Sequence, residues 1–97
     1  MPRYPLIADV EIYEPVSRTR LDGRTAEIST NGCYVDLTSP LPKNTLIQVR
    51  ISRDSGEFRT WARVAYVHDK AGMGLAFFDT TAEQRRIIGD WIGELQP

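Results

Sequence analysis

The chain has 97 residues, of which 41% are hydrophobic and 26% are charged, and its formal net charge at pH 7 is −1. This length suits one domain with a single core, spanning residues 1–97, and is too short for two. The hydrophobic fraction argues against intrinsic disorder. The near-neutral charge argues against general binding to nucleic acid polymers.

Membrane, disulfide and metal-binding classes are also disfavoured. No apolar run approaches the roughly 20 residues that a transmembrane helix needs, and the N-terminus does not resemble a secretory signal. Cys33 is the single cysteine, so it has no internal disulfide partner, and we expect it to be a small buried hydrophobe. His68 is the single histidine, and no metal-site spacing occurs. These features predict a cytoplasmic protein without membrane insertion or a metal site.

Alternation of apolar and polar residues predicts strands along most of the chain. The six predicted strands span residues 7–13, 19–29, 34–37, 45–52, 57–68 and 73–78. A proline-rich connection at 38–44 and turn residues at 54–56 and 69–72 separate the later strands. Short strands with tight turns at this spacing indicate an antiparallel barrel.

The period changes near the C-terminus, where a helix is predicted. Thr80 and Glu83 match a capping box, and apolar residues then recur at helical spacing, at Ile88, Trp91, Ile92 and Leu95. We expect this helix to cover an open end or face of the barrel. Gly89 and Gly93 form a GxxxG pair, which we interpret as close packing against the sheet because the segment carries many charges.

The segment from Glu27 to Gly32 leads from one predicted strand to the next through Asn31-Gly32. Asn-Gly between alternating strands is a strong hairpin signal. The segment also places a carboxylate, the Ser29 hydroxyl and a glycine where they can face one small ligand. Two interpretations stay open from the residues alone: a ligand site, or a type I′ turn that needs positive φ at both central residues.

The motif and the residues after it resemble the PilZ domain, a bacterial receptor module for the second messenger cyclic di-GMP. The family carries a (D/N)xSxxG motif, and Glu27-Ile28-Ser29-Thr30-Asn31-Gly32 matches it at the serine and glycine, with glutamate in the first position. The likeness continues through Pro40-Leu41-Pro42, Trp61-Ala62-Arg63-Val64 and the residues at 72–78 to the closing helix. It implies a mainly β fold, a six-stranded antiparallel split barrel with a C-terminal α-helix.

The second family motif, an RxxxR pair ahead of the first strand, is incomplete. If Arg3 is the second arginine, as the following Tyr-Pro pair indicates, the first falls before Met1. If Arg3 is the first arginine, Ile7 stands in the second position. Either the sequence lacks upstream residues, or the domain is degenerate and has lost part of its site.

The resemblance implies that cyclic di-GMP binds across the N-terminal arm and the motif strand. Arg3 would grip a phosphate or stack on guanine. Glu27 and Ser29 would hydrogen-bond to a guanine edge, and Gly32 would leave room for the ligand.

Two further residues join this candidate site. Arginine outnumbers lysine ten to two, and its planar fork suits phosphate and guanine edges; Arg24 is a candidate because it precedes the motif strand. Tyr4, beside Arg3, is a candidate for stacking. Four other aromatic residues alternate with polar neighbours and are predicted to lie in the core: Trp61, Phe77, Phe78 and Trp91.

Three function classes follow. The first is a cyclic di-GMP sensor that reports the messenger to a protein partner or a tethered output domain. The alternative is a degenerate PilZ-like adaptor that binds protein partners in motility or pilus assembly without nucleotide. An enzyme is not expected, because a single histidine gives no catalytic triad and no Gly-rich phosphate loop is present.

Overall fold

The computed structural model describes residues 2–54 and 56–96. The elements in chain order are β1 Tyr4–Pro5, β2 Asp9–Glu14, β3 Thr19–Ile28, β4 Gly32–Asp36, β5 Leu46–Arg53, β6 Gly56–His68, β7 Gly72–Phe78 and α1 Ala82–Leu95. Three residues lie outside the described residues: Ser55 of a predicted turn, and Met1 and Pro97 at the ends of the predicted domain.

Six of the strands close a barrel. Every pairing is antiparallel, in the order β3–β2–β5–β6–β7–β4, and β4 pairs back with β3. The predicted six-stranded antiparallel barrel with a C-terminal helix is therefore confirmed. The extra strand β1 pairs with the end of β3, and the alternation pattern did not predict it because two residues are too short to show a period.

Alternate residues of the strands fill the barrel, as the period of two requires. The side chains with no exposed area include Ile28, Val35, Ile47, Ile51, Phe58, Val64 and Met73. The helix closes one end, where Trp91 is buried and its ring centroid lies 6.3 Å from that of Phe58. Within the described part of the chain, no helix combines enough length and apolar character to span a bilayer.

The helix differs from its predicted details at two points. Its N-cap is Thr81, whose hydroxyl accepts a hydrogen bond from the Gln84 amide at 3.2 Å, so the cap lies one residue after the predicted Thr80. Gly89 and Gly93 are exposed, and no atom lies within 4 Å of a Cβ built on either. The prediction that this pair packs against the sheet is therefore wrong.

The predicted aromatic core is only half correct. Trp91 is buried, and Phe77 packs against the core with its ring centroid 5.1 Å from that of Phe58. Trp61 and Phe78 are partly exposed and pack on each other, with centroids 6.3 Å apart. Each follows a residue whose side chain points into the barrel. Because successive side chains of a strand point to opposite faces, Trp61 and Phe78 point outward.

The β3–β4 hairpin is confirmed, but its turn is not type I′. Ile28 pairs with Cys33, and residues 29–31 connect β3 with β4. Among the described residues, Asn31 does not have a positive φ, and the glycine with a positive φ is Gly56 rather than Gly32. The conformational freedom of Gly32 is therefore not what this turn requires.

Gly32 is needed for space instead. A Cβ at this position would lie 2.1 Å from the carbonyl oxygen of Leu75, on the neighbouring strand β7. Because that oxygen belongs to the backbone, a side chain could be accommodated only if the two strands moved apart. The glycine thus allows β4 and β7 to approach each other where the barrel closes.

We expect Gly32→Ala to lower the free energy of unfolding by about 1–3 kcal/mol, since overpacking here displaces backbone. Gly89→Ala is the matched control, because it makes the same change in open space within a helix and should stabilise by about 0.5–1 kcal/mol. Urea unfolding followed by circular dichroism measures both changes. A Gly32→Ala variant as stable as the wild type would contradict the close strand approach.

Cys33 is buried as predicted, and burial raises its pKa to about 12. An unfolded thiol has a pKa of about 8.5, so the folded state holds the proton more tightly and its stability falls as pH rises from about 8.5 toward 12. At pH 8.5, iodoacetamide should label native Cys33 at least about a hundredfold more slowly than the urea-unfolded chain. Equal labelling rates would show that the thiol is accessible.

Candidate functional site

Cross-strand register brings the motif strand into line with three other strands on the outer surface. Glu27 lies opposite Tyr34, Tyr34 opposite Gly74, and Gly74 opposite Tyr66. In the adjacent row, Arg24 lies opposite Asp36, Asp36 opposite Gly72, and Gly72 opposite His68. These two rows form one continuous outer face across β3, β4, β7 and β6.

Two breaks in the register direct these side chains outward. The pairing shifts between Thr25 and Glu27 in β3, and between Val64 and Tyr66 in β6. An extra residue at each point reverses the in-and-out alternation. Thr25 and Val64 consequently point into the barrel, whereas Glu27 and Tyr66 lie on the outer face.

Arg3 reaches this face from the N-terminal arm. Its Nη1 donates to Tyr66 Oη at 2.9 Å and lies 3.6 Å from Glu27 Oε1, and its guanidinium carbon lies 6.0 Å from the Tyr66 ring centroid. The hydrogen bond to Tyr66, with a smaller effect of the Glu27 carboxylate, raises the pKa of Arg3. Both members of the ion pair are about half exposed, so the pair contributes at most about 1 kcal/mol.

The arm itself is fastened to the barrel at two points. The buried Thr25 hydroxyl donates to the Leu6 carbonyl at 2.6 Å and accepts from the Ala8 amide at 3.0 Å. Tyr4 Oη accepts a hydrogen bond from Gln96 Nε2 at 3.0 Å. The arm therefore connects the motif strand with the C-terminal end of the helix.

Tyr34, Tyr66 and His68 form what we call the aromatic cluster. The two tyrosine rings lie 6.2 Å apart between centroids, inclined by 28°, and the imidazole lies 5.5 Å from Tyr34 and 5.3 Å from Tyr66. Tyr34 Oη and His68 Nδ1 are within hydrogen-bond distance, at 3.1 Å. Desolvation, with smaller effects of Asp36 and Tyr66, raises the pKa of Tyr34, so its hydroxyl stays protonated at neutral pH.

Glycines on β7 provide the space that these rings occupy. A Cβ on Gly74 would lie 2.2 Å from two atoms of the Tyr66 ring, and one on Gly72 would lie 2.8 Å from Tyr34 Oη. The tyrosine side chains thus cover the bare backbone of the strand between them. The rings therefore form an aromatic surface on the outer face, next to Arg3.

Ser29 and Gly32 have structural roles in the hairpin. Ser29 Oγ donates to the Gly32 carbonyl and accepts from the Asn31 amide, both at 3.3 Å. Ser29 is also buried, with 6% of its surface exposed. The close contact of Gly32 is with the Leu75 carbonyl oxygen of the neighbouring strand.

Tyr4 and Arg24 have their own contacts, away from the aromatic cluster. Tyr4 is held by Gln96 at the helix end and packs partly against the core. Arg24 Nε lies 3.5 Å from Asp9 Oδ1, and 69% of the Arg24 side chain is exposed. Of the predicted site residues, the structure brings Arg3 and Glu27 into direct contact.

No sequence pattern predicted the aromatic cluster. One signal was available. Gly72 and Gly74 are two residues apart on a strand, so they leave one face of it without side chains, and glycine in a strand often marks a place where another group approaches the backbone closely.

Within the described residues, no three His, Cys, Asp or Glu side chains are grouped to hold a metal ion.

Comparisons with known proteins agree on the fold. The PilZ domain of CeSA from a cellulose-synthesizing bacterium has a TM-score of 0.77 at 21% identity, with 98% of each chain covered. The PilZ domain of YcgR from Escherichia coli, whose structure contains c-di-GMP, has a TM-score of 0.81 at 13% identity, covering 97% of this chain and 88% of that chain. No curated protein sequence matches significantly.

A third structure extends the comparison to a larger protein. The Bacillus subtilis inhibitor of motility MotI/DgrA has a TM-score of 0.78 at 18% identity, covering 95% of this chain but 47% of that chain. At these identities the structural likeness establishes the fold alone. The family assignment comes from the sequence, because the PilZ domain model matches residues 1–94. The chain therefore belongs to the PilZ domain family.

Proposed function

We propose that this domain is a cyclic di-GMP sensor that binds the nucleotide across the N-terminal arm and the outer face of the barrel. The observation that carries this proposal is the meeting of Arg3, from the arm, with Glu27, from the motif strand, beside Tyr66. A cation and a carboxylate thereby converge on one exposed surface. The nucleotide-bound YcgR domain, which shares the fold, adds support.

The chemistry of the ligand matches these two groups. Cyclic di-GMP presents phosphates and the acceptor edge of guanine, both of which a guanidinium binds in bidentate fashion. The opposite edge of guanine carries N–H donors, which a carboxylate accepts. Arg3 would bind a phosphate or the O6/N7 edge, and Glu27 would accept hydrogen bonds from the N–H edge.

Binding would require an exchange of partners. In the free domain the charges of Arg3 and Glu27 neutralise each other. The ligand therefore has to separate these two side chains and become the new partner of both. Because the pair is exposed, this exchange costs at most about 1 kcal/mol. Two charge-assisted hydrogen-bonded contacts with the ligand, each contributing about 1–3 kcal/mol, outweigh that cost.

The remaining predicted residues have supporting roles in this proposal. Ser29 holds the motif turn in shape and would share its hydroxyl with a guanine edge, and Gly32 keeps the turn close to the barrel. Tyr4 anchors the arm, and Arg24 would contact a phosphate after leaving Asp9.

The arm also provides a route for reporting the signal. It contacts the end of the helix through Tyr4 and Gln96, so a ligand bound at Arg3 would add its own surface beside the arm and the helix. A protein partner or tethered output domain that prefers one arrangement would shift with it. As a reader of an intracellular messenger, the domain would act in the cytoplasm as a binding module, not as an enzyme.

The second candidate is an adaptor that binds proteins without nucleotide. It is favoured by departures from the family motifs, because Ile7 stands in the second arginine position if Arg3 is the first, and Glu27 replaces aspartate or asparagine. Loss of a bidentate contact worth about 1–3 kcal/mol lowers affinity about fivefold to over a hundredfold. The two candidates therefore differ in measurable nucleotide affinity.

We expect Arg3→Ala and Ser29→Ala each to weaken cyclic di-GMP binding about tenfold or more, because each removes a proposed contact or its support. Isothermal titration calorimetry measures the affinity, with GTP as the ligand control and a thermal melt to confirm folding. Arg86→Ala is the matched control, since Arg86 is an exposed helix residue, and it should bind like the wild type. Wild-type affinity in both test variants would exclude the proposed site.

Adding an arginine upstream of Arg3 should strengthen binding. An N-terminal extension that places arginine four residues before Arg3 is expected to raise cyclic di-GMP affinity about tenfold or more, by adding a second guanidinium contact. The same extension with alanine at that position is the control. No gain over the alanine extension would show that Arg3 is not the second arginine of the pair.

A further inference from the structure

We propose that the aromatic cluster of Tyr34, Tyr66 and His68 is a stacking subsite for a guanine base. This inference rests on the proposed function, because it names the part of the outer face that would hold one base of the nucleotide. It adds residues that neither family motif contains, and it predicts that part of the affinity comes from ring surface rather than from charge.

The cluster lies where a base could reach it. None of its three members belongs to the hydrophobic core, and both tyrosines are only partly buried while His68 is exposed. Their ring centroids lie within 5.3–6.2 Å of one another. Exposed aromatic side chains grouped in this way give a base a π surface on which to stack.

The charge beside the cluster selects the type of base. Arg3 donates to Tyr66 Oη, so its guanidinium lies at the edge of the cluster. Its other N–H donors, for which the described residues show no hydrogen bond, can face a base that lies on the Tyr66 ring. Guanine offers two acceptors, O6 and N7, on one edge, whereas adenine pairs an acceptor with a donor there. Arginine at this position therefore favours guanine.

The bare strand beneath the rings supports the same assignment. Because Gly72 and Gly74 have no side chains, the tyrosine rings lie low against the backbone of β7. A side chain at Gly74 would overlap the Tyr66 ring, with 2.2 Å between the Cβ and two ring atoms. A base that contacts Arg3 would therefore meet these rings rather than side chains of β7.

A purely structural role is the competing explanation, in which the tyrosines only cover β7. Under that explanation, removing a ring changes stability but not affinity. Under the stacking assignment, Tyr34→Leu and Tyr66→Leu each lower cyclic di-GMP affinity about fivefold to a hundredfold. Tyr66→Phe keeps the ring and loses only the hydroxyl contact with Arg3, so its affinity should fall less than that of Tyr66→Leu.

Calorimetric titration with cyclic di-GMP measures these effects. Tyr13→Leu is the matched control, because Tyr13 is also partly exposed and contacts an arginine, Arg20, whose guanidinium carbon lies 4.8 Å from its ring centroid. The control should bind like the wild type. Wild-type affinity in folded Tyr34→Leu and Tyr66→Leu variants would overturn the assignment.

A second measurement separates this inference from the proposed function. In an NMR titration of the wild type, guanosine 5′-monophosphate should shift the ring protons of Tyr34, Tyr66 and His68, and ribose 5-phosphate, which lacks the base, should not. If cyclic di-GMP fails to bind, the proposed function fails, but guanine-dependent shifts at these rings still support the stacking subsite. Absence of such shifts overturns it.

Discussion

The close approach of the β4 and β7 backbones determines the shape of the outer face. A Cβ at Gly32 would lie 2.1 Å from the Leu75 carbonyl oxygen, and one at Gly72 would lie 2.3 Å from that of Val35. Neither carbonyl can rotate away without breaking the ladder, so these positions exclude side chains. The constraint that closes the barrel also leaves β7 bare, and the tyrosines of β4 and β6 occupy the space above it.

The arm is held by contacts that leave Arg3 free to change partners. Backbone pairing of β1 with β3 and the two hydrogen bonds of the buried Thr25 hydroxyl fix the arm to the barrel. The contacts of Arg3 itself are exposed and individually weak. In the proposed binding mode, the ligand takes Arg3 from Glu27 while the arm stays docked, which avoids the entropy cost of ordering a free segment.

The sequence was sufficient for the architecture because strands and helix have different periods, and their alternation is continuous over most of the chain. The proximity of Arg3 to Glu27 was expected from the family resemblance and not from any spacing. The type I′ turn, one of the two interpretations left open for Asn31-Gly32, does not form, and the reason is physical. Asn31-Gly32 has the local preference of a type I′ turn, but the need for glycine at position 32 arises from Leu75, more than 40 residues along the chain, which no local pattern reveals.

The aromatic cluster was missed because it depends on where the register breaks. In a regular strand, Tyr66 would share the inward face of Val64, and Glu27 would share that of Thr25. The register shifts at these two places reverse that alternation and bring both residues into the same outer row. Bulges commonly redirect side chains at functional sites, and here two of them act together. If either strand were regular, its residue would turn into the barrel, and Arg3 would lose one of the two groups that it contacts.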